Sequence, residues 1–277
     1  MKKVLIFVFI LVLAVFIIHN VNAQEYGVDE FTAALWHMNE GSGSTIFDET
    51  SNNPGTINGA TWTTEGKFGN ALNFDGVNDF VGVPYSQSIG QLPEVTLEAW
   101  IKRNSQSDGM VISKNGPYFL SVRNNVIEGG VYAGPGWTHI NGITELEMGT
   151  WYHIALTYDG SFIKIYLNGL EDSSLPKTGN ILVTGQGLHM GWGEPGHNQY
   201  FNGIIDEVRI SNIARTNFNM SEPEPDLEER VAELESRVDE LENQTFAIEN
   251  LLNSFSEAIV DFIEGLPQGL RNNWNGF

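Results

Sequence analysis

The residues best typed for chemistry fall into two sets, one aromatic and polar, the other rich in carboxylates. The first comprises Trp137, His139, Trp192, His197 and Asn198. A sugar offers a C–H face that stacks on an aromatic ring and hydroxyls that pair with amide or imidazole groups, so this mixture suits a glycan-binding loop. Trp137 follows Gly134, Pro135 and Gly136, and Trp192 lies between Gly191 and Gly193, small neighbours that leave an indole accessible. The competing reading is that each tryptophan plugs an end of the fold, the commoner fate of a single large ring. The second set is Asp48, Asn53, Asp75, Asp79 and Asp206, oxygen donors of the kind a structural calcium ion takes. Asp206 shares strand parity with Ile204, Val208 and Ile210, which points its carboxylate to the apolar side. A charge there needs either a cation or the backbone amides of a loop, and both readings stand open.

Bond-breaking chemistry finds less support. Glycoside cleavage needs two carboxylates facing one cleft. Asp206 and Glu207 are adjacent in a strand and are expected on opposite faces. Glu145 and Glu147 do alternate, but Gly149 ends their segment before a third acid follows in phase. No Ser-His-Asp order or nucleophile-elbow glycine pattern appears. The six histidines form no His-x-x-x-His pair, which argues against zinc. The expectation is a protein that binds without catalysing.

The elements that must position these residues centre on residues 151–169. Tyr152, Ile154, Leu156 and Tyr158 share one parity before Asp159 and Gly160, and Ile163, Ile165 and Leu167 alternate after them. That is a hairpin with one hydrocarbon face, which has to pack on a second layer. Val95, Leu97, Ala99 and Ile101 repeat the pattern. Further strand pieces fall at 34–38, 72–74, 80–83, 110–114, 118–123, 126–132, 188–192 and 203–210, punctuated by Gly, Pro, Asn and Asp. Residues 133–137 read as a loop. Many short strands without a helical period argue for an all-β fold, a jelly-roll β-sandwich.

A family pattern runs through these strands. It comprises Leu35 and Trp36; Glu40, Gly41 and Gly43; Asp48, Asn53 and Gly55; and Gly66 through Gly69. It continues with Asn73, Phe74, Asp75, Gly76 and Asp79, with residues 95–101 and 151–155, and with Gly203 through Arg209. In this order the sequence resembles the laminin-G-like, concanavalin A-like jelly roll of secreted microbial proteins, over about residues 31–217. The resemblance implies a concanavalin A-like sandwich and, in many members, a structural calcium ion on such loops. It leaves function open, because the fold hosts lectins, adhesins, hydrolase appendages and structural modules.

The two ends differ from this domain. Lys2 and Lys3 precede an apolar run from Val4 to Ile18, and small residues near Ala23 suit a signal peptidase, so residues 1–23 read as a signal peptide. The jelly roll is then expected over 24–217 and a Pro/Glu linker over 218–226. From 227 to 266 the period becomes heptad. Val231, Val238, Leu252, Ile259 and Leu266 occupy one seam position, with Thr245 the polar exception. Leu227, Leu234, Leu241, Ile248, Phe255 and Phe262 occupy the other. An α-helical coiled-coil stalk about 60 Å long follows, an oligomer in which Arg230 meets Glu235 and Arg237 meets Glu242 of a neighbour. Val with Leu in the first heptads favours two strands, while Leu251, Ala258 and Ile263 widen the apolar face farther on and favour three or more, a trimer being the expectation. Residues 267–277 form an aromatic tail.

Composition sets the outer limits. The 277 residues hold 14 basic and 35 acidic side chains, a formal charge of -21, which repels nucleic acid. No cysteine is present, so disulfides and thiol chemistry are excluded. The sequence reads as an exported binding protein, extracellular or on a cell surface. In that reading a lectin-like or adhesin-like domain for a glycan or surface protein sits on an oligomeric stalk. The alternative is a structural subunit of a cell-surface, filament or virion assembly.

Overall fold

The computed structural model describes residues 25–193, 199–218 and 227–265. The signal segment, all but the first residue of the linker, the tail, His197 and Asn198 lie outside the described residues. The chain forms two units, divided between Ser221 and Glu222.

The first unit is an all-β sandwich. Its strands are β1 Thr32–Trp36, β2 Thr45–Ile46, β3 Gly55–Asn58, β4 Thr61–Thr63, β5 Ala71–Asp75, β6 Phe80–Val83, β7 Val95–Arg103 and β8 Gly109–Lys114. They continue with β9 Tyr118–Arg123, β10 Val126–Ala133, β11 Gly136–Asn141, β12 Trp151–Tyr158, β13 Phe162–Leu167, β14 Leu170–Pro176, β15 Leu188–Met190 and β16 Asn202–Ser211. Sheet A runs β14-β13-β12-β7-β16-β5-β4, with β1 paired to β16, and sheet B runs β11-β10-β9-β8-β15-β6-β3-β2. Every pairing is antiparallel.

The hairpin β12–β13 forms as its alternation requires. Asp159 accepts the Ser161 and Phe162 amides at 2.8 and 2.6 Å, and Gly160 takes φ +84°, so the turn closes without strain. Ile154, Leu156, Ile163 and Ile165 face sheet B together with Leu97, Ala99, Ile101, Ile205, Val208 and Ile210. They meet Leu120, Val122, Ile127, Val131, Leu188 and Met190 from the other layer. Gly129 permits this approach: a Cβ there would lie 2.1 Å from Leu156 Cδ1.

Two local expectations need correction. Residues 136–137 open strand β11, because Gly134 at φ +53° turns the chain tightly enough for Gly136 to pair with Ala133. In β16, a bulge falls between Asp206 and Arg209, with Glu207 at φ +49°. The bulge shifts the parity, so Ile205 and Val208 both face the inter-sheet core. Asp206 therefore points away from that core, and Glu207 shares its face.

That outer face of sheet A carries a second buried layer of Tyr26, Leu35 and Trp100, packed by Phe68 and Trp151. Glu98, fully buried, accepts from Arg209 Nε at 2.8 Å and lies 3.1 Å from His153 Nε2. Glu207 accepts the Tyr26 amide at 2.8 Å and lies 2.6 Å from His37 Nδ1. The first and last segments of the unit meet here, since Tyr26 and Phe218 both pack on the His153 ring, at 6.1 and 5.1 Å.

The second unit contains helix α1, Leu227–Gly265, whose 39 residues span about 58 Å. No helix among the described residues is long and apolar enough to cross a membrane.

Candidate functional site

Strand register assembles a site on the outer face of sheet B. The turn between β9 and β10 uses Asn124 and Asn125 at φ +50° and +65°, a pair that fixes Val126 opposite Arg123. With Leu120, Val122, Ile127 and Val131 committed to the core, Phe119, Ser121, Arg123, Glu128, Gly130 and Tyr132 must face outward. Strand β11 adds Trp137 opposite Tyr132 and His139 opposite Gly130. Gly130 is what lets the surface lie flat, because a Cβ there would stand 2.3 Å from Phe119 Cε1.

The result is an aromatic platform beside a polar group. The Trp137 indole is 40 % exposed, the largest opening of any tryptophan among the described residues. It is backed by Phe119 at 5.6 Å, His139 at 5.7 Å and Tyr132 at 5.8 Å between ring centres. Buried Glu128 accepts from Ser121 Oγ at 3.2 Å and Arg123 at 3.4 Å, with His139 Nδ1 at 3.5 Å. Phe119, Arg123, Glu128, Trp137 and His139 line an open cleft of about 230 Å³, with Met110, Ser113, Lys114, Tyr118 and Gln199 around it. Among its described lining residues Glu128 is the one carboxylate, paired with Arg123, and Lys114 is a second cation whose pKa burial lowers to about 8.

A second aromatic group occupies the same face farther along the sheet. Trp192 packs on His189 at 4.7 Å, on Phe80 at 5.2 Å and parallel to Tyr200 at 5.9 Å. Burial lowers the His189 pKa and keeps its ring neutral. Of the five residues singled out for glycan contact, Trp137 and His139 share one cleft and Trp192 stands in the neighbouring cluster. The sequence reading passed over Phe119, Tyr132, Arg123 and Glu128, although the outward parity of β9 and β10 was the signal for them.

The five oxygen donors grouped for calcium do not converge. Asp48 accepts six hydrogen bonds, from the Leu35, Thr50, Asn52 and Asn53 amides, the Thr50 hydroxyl and the Asn53 side chain. Asn53 is thus a donor to Asp48, and its own oxygen accepts from Ser86 and Ser88. Asp75 accepts the Val77 and Asn78 amides, while Asp79 accepts the Asp75 amide at 2.9 Å. Burial raises the Asp79 pKa. Asp206 accepts the Phe68 and Glu207 amides, both at 2.9 Å, and so pins the loop of Gly66 to Gly69. Burial pushes its carboxyl up to about 8, against the opposing pull of those amides, and the nearby Glu207 adds to the rise. N–H and O–H donors thus occupy both oxygens of Asp48 and of Asp206 and one oxygen each of Asp75 and Asp79. Among the described residues no group of three or more His, Asp or Glu is placed to hold a metal.

Comparison with known proteins agrees with this architecture. A family model described as the concanavalin A-like lectin/glucanases superfamily, Laminin_G_3, matches residues 75–218. No curated protein matches the chain significantly. Among solved structures it is similar to domain 4 of AbnA, an extracellular arabinanase from Geobacillus stearothermophilus, in complex with arabinotriose. The TM-score is 0.54 at 19 % identity, covering 68 % of this chain and 95 % of that one. The binding domain of Paraclostridial Mosquitocidal Protein 1 gives 0.55 at 14 %, covering 67 % of this chain and 50 % of that one. The botulinum neurotoxin serotype D binding domain gives 0.53 at 14 %, covering 69 % and 50 %. This chain thus spans half of each toxin fragment, and at these identities the likeness is one of fold. With the matched segment covering more than half of its length, the chain belongs to the Laminin_G_3 family of concanavalin A-like jelly rolls.

Proposed function

We propose that this is an exported, non-catalytic glycan-binding protein whose site is the cleft on the outer face of β8–β11. The observation that carries the reading is the half-open Trp137 ring, held by three aromatic neighbours beside the Arg123–Glu128 pair. A sugar ring stacks its C–H face on Trp137, and its hydroxyls pair with His139, Glu128, Arg123 and Gln199. A lone carboxylate in the described lining lacks the second acid that glycoside cleavage needs. The arabinotriose-bound neighbour supports a saccharide ligand for this fold, and the toxin binding domains support recognition as its role. Helix α1 presents the domain in several copies, which raises avidity without new contacts.

The test is a broad glycan array probed with residues 24–277, with added calcium and with a chelator. Binding that survives the chelator and disappears in Trp137→Ala is the expected result. Binding that Trp137→Ala leaves intact would place the site elsewhere. A blank array would shift the reading to the structural subunit.

A further inference from the structure

Helix α1 leaves its apolar stripe open. Phe246, Ile248, Leu252, Phe255, Ile259 and Phe262 stand 43–67 % exposed. Single exposed apolar residues are ordinary, but a continuous stripe of this size marks a contact surface. Five of the six occupy the two heptad seam positions of the second half of the helix, Ile248, Phe255 and Phe262 in one and Leu252 and Ile259 in the other.

We propose that the occupant of this stripe is further copies of the same chain, arranged parallel and in register, with three or more helices in the bundle. The occupant follows from the pattern. The stripe repeats in heptads and is therefore complementary to itself, while eleven acidic residues against two arginines repel anionic lipid. The direction follows from the flanks. Glu228, Glu235, Glu242 and Glu249 occupy the same flanking position in four successive heptads. An antiparallel arrangement sets that flank against itself and repeats acid on acid. A parallel arrangement in register sets it against the other flank, where Arg230 meets Glu235 and Arg237 meets Glu242.

The number of helices follows from the width of the stripe. Leucine at Leu252 after isoleucine at Ile248 is the seam combination that disfavours two strands. Leu251 broadens the stripe on one flank and Phe246 and Val260 on the other, all of them half-exposed or more. A two-stranded seam would leave these side residues in water.

This inference rests on the reading of α1 as the element that presents the binding domain, but its test uses no glycan. The chain has no cysteine, so one introduced thiol reports one position. Residues 24–277 carrying Leu234→Cys, a seam position, are mildly oxidised beside a Ser236→Cys control on the far side of the heptad. Parallel helices in register cross-link the first and leave the second as single chains. Sedimentation equilibrium of the unaltered chain should return three or more masses, falling to one with Phe255→Asp. A single-chain mass would overturn self-association, a two-chain mass the bundle size, and equal or absent cross-linking in both variants the parallel register. None of these results depends on whether the array finds a ligand.

Discussion

Asp206 makes the stability of the sandwich depend on pH in an unusual direction. Its carboxyl titrates at about 8 in the fold against 3.8 when unfolded, chiefly because burial disfavours the charge. The fold therefore binds this proton more tightly, so the contribution is complete below the unfolded value and is lost as pH rises toward 8. One proton held through that window is worth about 1.4 kcal/mol per pH unit, or about 3 kcal/mol between about pH 5 and about pH 7.5. Glu207, also raised by burial, acts in the same sense. So does His37: burial lowers it, but the Glu207 hydrogen bond together with the charges of Glu207, Glu25 and Glu49 outweighs burial and raises its pKa. His189, lowered by burial, opposes them below its ordinary value of 6.5. Comparing the parent with Asp206→Asn separates the one carboxyl from the rest. Urea unfolding followed by tryptophan fluorescence suits the assay, because Trp100 pairs directly with Asp206 across β7 and β16. The parent should gain stability on acidification by about 3 kcal/mol more than Asp206→Asn over this range. Parallel profiles, differing by less than about 1 kcal/mol, would refute the burial argument.

Other substitutions test the site and the scaffold separately. Trp137→Ala should weaken glycan binding by about 2 kcal/mol, roughly thirty-fold in Kd by calorimetry, with an unchanged thermal midpoint. Gly130→Val should abolish binding by displacing the Phe119 ring, whose Cε1 lies 2.3 Å from the Cβ site, while circular dichroism still reports a folded sandwich. The adjacent Gly129→Val should do the reverse, costing about 3 kcal/mol or more of stability in urea by overpacking Leu156 in the core. Asp48→Ala strands six donors and should cost about 3–5 kcal/mol in the same assay, with calcium restoring none of it.

Much of the fold was legible because burial on one side writes a period of two into a strand. β7, β12 and β13 show it without interruption, and their turns carry Asp159–Gly160 and Asn168–Gly169 where positive φ is needed. The bulge at Glu207 could not be read that way. It adds one residue at a point where no glycine or proline marks it, so parity counted from Ile210 gives the wrong face for Asp206. β11 escaped notice because Gly134, Pro135 and Gly136 read as loop residues, although they make a turn tight enough to begin a strand. For the site, Trp137 and His139 announce themselves by residue type. Glu128 and Phe119 do not, since their roles come from cross-strand neighbours about 5 Å away that only a register supplies.

The strand order sets how the sandwich resists a pulling force. β16 is bonded along one edge to β7 and along the other to β5 and β1. Tension entering from the side of Phe218 has first to lift that ring off His153 and Tyr166 before it loads β16, whose hydrogen bonds on both edges then resist together. β11 is gripped along one edge only, by β10, and it carries Trp137. A ligand pulled away from the cleft would load those bonds one at a time, like a zipper. β16 is thus held on both edges and the strand that carries Trp137 on one, so a pull at the cleft should open it at a lower force than unravels the body.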